Sequence, residues 1–162
     1  MLSNLLLFCM CVCYCIPIIY VYSNYDSNDS VSSIICDENI TCVILYSMLA
    51  MAVFTIPYEL LRNNTHSFIC MICLFVGIFG LILNNPITYS HYIFAFIAFI
   101  SILGFMMIHC CVIDNCILYI ITSIQIYLSI WIMITIRDDI FHSEILFLFL
   151  FALFYFYLHL FM

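Results

Sequence analysis

Apolar residues run through this chain in six long stretches separated by short polar breaks. The stretches fall at about Leu2–Tyr22, Cys42–Leu61, Ser67–Leu83, Tyr89–Ile108, Ile117–Ile136 and Ile140–Phe161. A helix of about 20 mostly apolar residues crosses the hydrocarbon core of a bilayer, so each stretch predicts one membrane-spanning helix. Lipid satisfies no backbone polar group, which leaves helices and closed barrels as the only spanning elements. Barrel strands alternate lipid-facing and lumen-facing residues, and these runs are continuous. The expected fold is therefore all-α: a polytopic helical bundle of about six transmembrane helices, forming one domain over residues 1–162.

The breaks support these cuts. "SNYDSNDS" opens the only long connection, an acidic loop over about Ser23–Thr41. "RNNTH" separates the second and third spans, "NNP" ends the third, "IDN" follows the fourth and "RDD" the fifth. The last four connections are short, so consecutive helices should be antiparallel neighbours. The first apolar run has a cleaved signal peptide, cut at Val21-Tyr22-Ser23, as its alternative reading. It is longer than the ~7–15 residues of a signal-peptide core and no basic segment precedes it, which favours a retained span.

Composition moves the picture further towards the membrane. The chain is 69% hydrophobic and 7% charged, with no lysine and only Arg62 and Arg137 as cations. A soluble surface needs about 25–35% charged residues. Nucleic acid is excluded as a partner because no basic footprint exists; membrane lipids are the expected partners, with other membrane proteins or a second copy as the alternatives. The positive-inside rule has one vote on each side, Arg62 against Arg137. The acidic loop carries acceptor sequons at Asn28 and Asn39, which favours a lumenal or extracellular loop and cytosolic termini. A third sequon at Asn63 lies on the opposite side. The bias towards Ile, Phe, Tyr, Leu, Cys and Asn suggests an AT-rich eukaryotic, viral or organellar genome.

Four cysteines alternate in "FCMCVCYCIP". At about 100° per helical residue, Cys9 and Cys13 share one face and Cys11 and Cys15 nearly the opposite one. Such an arrangement cannot close around one tetrahedral zinc, and free cysteine packs as a small hydrophobe. Palmitoylation is the functional alternative, for which Cys110, Cys111 and Cys116 are better placed. Cys36 and Cys42 bracket "DENIT" and are placed to form a disulfide if the loop faces an oxidising compartment.

Ionisable groups at membrane depth are functional hypotheses by default. Glu59 and Arg62 stand at i and i+3 near the end of the second span and read as a local ion pair. His66 reads as solvated, His109 as part of the fourth connection, and His159 as reaching the headgroups. His91 opens the fourth span and Glu144 the sixth, which the topology puts at one membrane surface together with His142, Asp138 and Asp139. That group reads in two ways. It could bind a divalent metal or move protons, or it could be an interhelical hydrogen-bond network. No HExxH, P-loop or Gly-x-Gly-x-x-Gly pattern occurs, and no cofactor or metal is expected. Gly77 and Gly80 allow close helix approach, and Gln125 should bond a neighbouring helix.

The stretch "GIFGLILNNPITYSHYIFAFIAFISILGFMM" places Gly77-x-x-Gly80 in one helix and His91-x-x-x-Ala95-x-x-x-Phe99 at the start of the next. The last span opens with Ser143-Glu144 in "SEILFLFLFALFYFY". These patterns resemble the damage-regulated autophagy modulator (DRAM) and Frag family of six-span membrane proteins, as do the span count and the long first loop. The resemblance covers about half of the chain. Ile145 departs from the aromatic usual after the Ser-Glu pair, and the first loop offers "CDENITC" in place of a Pro-Pro-Glu element. The resemblance implies a non-enzymatic regulator of lipid handling, trafficking or autophagy in a eukaryotic endomembrane or plasma membrane, virus-encoded or not. It makes His91, Ser143 and Glu144 scaffold or ligand-contact residues, with a direct His91–Glu144 contact expected. The rival readings are a metal-dependent lipid hydrolase using His91, His142, Glu144 and Asp138, and a small channel, transporter or subunit of a larger membrane complex.

Overall fold

A computed structural model describes residues 2–26, 30–134 and 140–161. Among these residues there are seven helices and no strand: α1 (Leu2–Ser23), α2 (Val31–Ile35), α3 (Glu38–Arg62), α4 (Thr65–Leu83), α5 (Tyr89–Val112), α6 (Cys116–Ile134) and α7 (Ile140–Phe161). All but α2 are long and apolar enough to cross a membrane. The chain is an all-α bundle of multi-pass membrane type. Asn28, Arg137, Asp138 and Asp139 lie outside the described residues.

Side-chain caps set several of the boundaries. Asp37 accepts the Asn39 amide at 2.8 Å and starts α3 well before the apolar run begins. Asn63 ends α3 in the left-handed region at φ 55°, a conformation asparagine tolerates better than most residues. Asn64 then starts α4 by accepting the Ser67 amide at 3.2 Å. Two asparagines thus make the whole turn between two spans. α5 runs four residues past the expected Ile108, so His109 sits in its last turn and is buried rather than lying in a loop.

The long loop also departs from expectation. Ser30 and Ser33 form a reciprocal capping box, in which Ser33 N donates to Ser30 Oγ at 3.0 Å and Ser30 N to Ser33 Oγ at 2.9 Å. This satisfies amides that a helix start leaves open and closes the single turn of α2. Ile34 and Ile35 then bury against Val21, Ile40, Ile44, Ile82 and Phe141. A segment read as acidic loop is a helical cap on one end of the bundle.

Sequential helices are neighbours around the bundle, and α2 lies across the ends of α1, α3, α4 and α7. α4 and α5 pack most closely. A Cβ on Gly77 would stand 2.7 Å from the Ala98 amide nitrogen, and one on Gly80 2.1 Å from the Phe94 ring. Phe105 on α5 is fully buried against Phe151 and Tyr155 of α7, with ring centroids at 5.9 and 5.5 Å. Gln125, also fully buried, donates to Phe147 O at 3.0 Å and ties α6 to α7. α1 and α7 meet lightly, where Tyr14 Oη donates to Leu148 O at 2.6 Å.

Candidate functional site

Between these helices lies a cavity of about 190 Å³. α1, α3, α4, α5 and α7 supply its walls and α2 covers one end. The walls are almost wholly aliphatic, aromatic or thioether side chains. Polar groups gather at the ends: His91 and Glu144 beneath α2 with Ser32 of α2 itself, and Thr55 and Tyr155 at the far end.

The end beneath α2 contains most of the residues singled out by sequence. Glu144 stands in the second turn of α7, and its Oε2 accepts the Val31 amide at 2.7 Å. That amide is one of the open donors at the start of α2, so the carboxylate clips the cap onto the bundle. His91, 3% exposed, gives its Nδ1 to Asn84 O at 3.2 Å. The expected direct bond between His91 and Glu144 is not made, because each has a backbone partner of its own. Both face the same cavity.

The remaining sequence candidates divide. Ser143 is half-buried beside Glu144, while His142 is exposed and turned edge-on to Tyr25 at 5.6 Å. Tyr25 in turn stacks on Phe141 at 4.0 Å, fastening the chain after α1 to the start of α7. His142 therefore points away from the cavity-lining pair. Among the described residues, no three His, Cys, Asp or Glu side chains come together as a metal would require.

Cys36 and Cys42 are both free thiols. Cys36 Sγ reaches towards Leu81 O at 3.5 Å and Asn84 O at 3.4 Å, over the C-terminus of α4, while Cys42 is exposed one turn into α3. Burial pushes the Cys36 thiol above its ordinary value. In a variant with Cys36 as sole cysteine, alkylation at pH 7 should be at least ~10-fold slower than for an unstructured thiol, and its rate should go on rising with pH beyond the point where that thiol levels off, since the thiolate is the nucleophile. Rapid alkylation at neutral pH would place the thiol in water instead. Asn39 is exposed near the start of α3. In α1, Cys11 and Cys15 are exposed and Cys9 and Cys13 half-buried, the two faces that helical spacing requires.

A second polar cluster lies at the opposite end of the bundle, and sequence reasoning misread it. Glu59 is fully buried. Tyr155 Oη donates to its Oε1 at 2.5 Å, and His159 Nε2 stands 3.5 Å from the same oxygen. Arg62 donates to His159 Nδ1. Glu59 thus finds its partners on α7 rather than pairing directly with Arg62, and His159 turns inward instead of reaching the headgroups. Its Oε2 has no partner among the described residues. Close by, Ser67 and the buried His109 share a hydrogen bond of 2.7 Å between α4 and α5. The available signal was the Tyr155–His159 spacing of four, which puts both rings on one face of α7 at the depth of Glu59.

No protein-family model matches the chain, and no curated protein or solved structure is significantly similar to it.

Proposed function

We propose that this multi-pass protein holds a membrane lipid within its helix bundle and acts as a non-enzymatic regulator of lipid handling, in the manner of the DRAM and Frag proteins. The observation that carries this reading is the apolar cavity between five helices, closed at one end by α2. Ligand sites are concave and mostly apolar with a few convergent polar groups, and an apolar cavity of this size in a membrane takes hydrocarbon rather than water. The six spans match the number that the family likeness implies. On that reading α2 faces the lumen or exterior of a eukaryotic endomembrane or plasma membrane. An ion pore is disfavoured by the same walls, since conduction needs a polar path.

The test is lipid retention. Protein purified in mild detergent is extracted and its bound lipid quantified by mass spectrometry, beside Ala152→Phe, which places a ring in the cavity wall. The expected result is stoichiometric lipid in the natural protein and at least a fivefold loss in the variant, with the thermal unfolding midpoint held. Ala95→Leu, a milder filling on α5, guards against misfolding. Equal lipid in all three proteins overturns the proposal.

A further inference from the structure

The shape of the cavity and the chemistry of its polar end specify the lipid further. Five helices line it over similar lengths, from Met10 to Val21 on α1, for example, and from Glu144 to Phe156 on α7. At about 1.5 Å per residue these are stretches of roughly 16–18 Å. The volume exceeds the ~150 Å³ of an engineered cavity that admits benzene only modestly, so the space is a slender channel. It suits one hydrocarbon chain and not the two of a phospholipid.

The polar end presents acceptors. Asn84 O can only accept, so His91 Nδ1 carries the proton in that bond. In the neutral imidazole this leaves Nε2 as a lone pair. Glu144 uses Oε2 for Val31, and its Oε1 has no protein donor among the described residues. Among the described residues no Lys or Arg lines the channel, and Arg62 is engaged with His159 at the other end of the bundle. At the far end the Tyr155 hydroxyl is committed to Glu59, so it offers the channel chiefly its ring.

Resting on the lipid-holding reading above, we infer that the occupant is a single-chain lipid with a hydrogen-bond-donating, non-anionic head, a long-chain amine or alcohol, received by Glu144 and His91 beneath α2. An ionised acidic head would meet the Glu144 carboxyl with no cation among the described residues to offset it. An ammonium or hydroxyl head donates to Glu144 Oε1 and His91 Nε2 without displacing the Val31 clip.

The test compares heads on one chain. The full-length protein in phosphatidylcholine nanodiscs is labelled with hexadecylamine, hexadecanol and palmitate, each carrying a photoactivatable diazirine at the chain end. The amine and the alcohol should label at least 10-fold better than palmitate, with adducts on α3 and α7 near Thr55 and Phe156. Glu144→Gln keeps an acceptor oxygen but loses the charge. It should cut amine labelling at least 10-fold and alcohol labelling less than threefold, which separates the two heads. The thermal unfolding midpoint of Glu144→Gln, measured beside that of the natural protein, controls for folding. If all three probes label equally and Ala152→Phe abolishes them, the head assignment fails while the lipid-holding reading stands. Preference for palmitate, or an amine preference untouched by Glu144→Gln, also overturns the head assignment. Labelling indifferent to Ala152→Phe overturns both.

Discussion

Removing a single hydroxyl, in Tyr155→Phe, is expected to lower the stability of the bundle by about 3 kcal/mol, the upper range for a hydrogen bond to a charged group. Glu59 is fully buried, and among the described residues its only short contact from a neighbouring helix is the 2.5 Å bond from Tyr155. His159 stands at 3.5 Å, and the second carboxylate oxygen already has no partner among the described residues. The variant therefore leaves a desolvated carboxylate with little to offset its burial. Breaking such an arrangement from one side costs more than deleting it. Glu59→Gln should make the Tyr155 substitution cheaper by at least ~1 kcal/mol, since contacting residues couple. Reversible unfolding in mixed micelles, run on both single variants and the double, measures this directly. Strict additivity would show that the two groups do not interact in the membrane.

The second large effect is expected at Gly77. Gly77→Ala should cost about 3 kcal/mol, at the upper end for overpacking, and lower the amount of folded protein. The added methyl would lie 2.7 Å from the Ala98 amide nitrogen and 3.0 Å from its Cα, and backbone cannot swing aside. α4 and α5 would have to separate along their contact. Gly80→Ala collides at 2.1 Å, but with the Phe94 ring at Cγ and Cδ1, so the half-buried ring must leave its rotamer to give way. It should cost less, because a side chain has other rotamers and the backbone of a packed helix does not. Detergent melting of the two variants ranks them, and a Gly80 effect equal to that of Gly77 would contradict the distinction between a backbone and a side-chain obstacle.

The contrast between these two sites marks how far the sequence could be read. Spans were legible because bilayer thickness imposes a length on every apolar run, and Gly77 and Gly80 because small residues one turn apart serve close packing. Gln125 was legible for the related reason that a deep amide must find a partner, here Phe147 O. α2 was not, because a five-residue helix leaves no periodicity and depends on Ser30 and Ser33 bonding each other. Glu59 was misassigned because spacing along α3 offers Arg62, while its actual partners Tyr155 and His159 sit nearly a hundred residues away. His91 and Glu144 both line the cavity beneath α2. Their partners were not foreseen, since both are backbone groups, Asn84 O and the Val31 amide, and a sequence pattern records side chains only. The cavity was invisible for a similar reason: its walls are ordinary apolar residues, and emptiness has no residue type.

The distance in sequence between Glu59 and its partners has a consequence for biosynthesis. α3 enters the bilayer while α7 has yet to be translated, so its acid waits without Tyr155 or His159 until the final span arrives. Until then the acid lacks the α7 groups that meet it in the finished fold, and an ionisable group is costly in a membrane. A chain interrupted before Tyr155 keeps Glu59 without its short hydrogen bond, and docking of α7 supplies it.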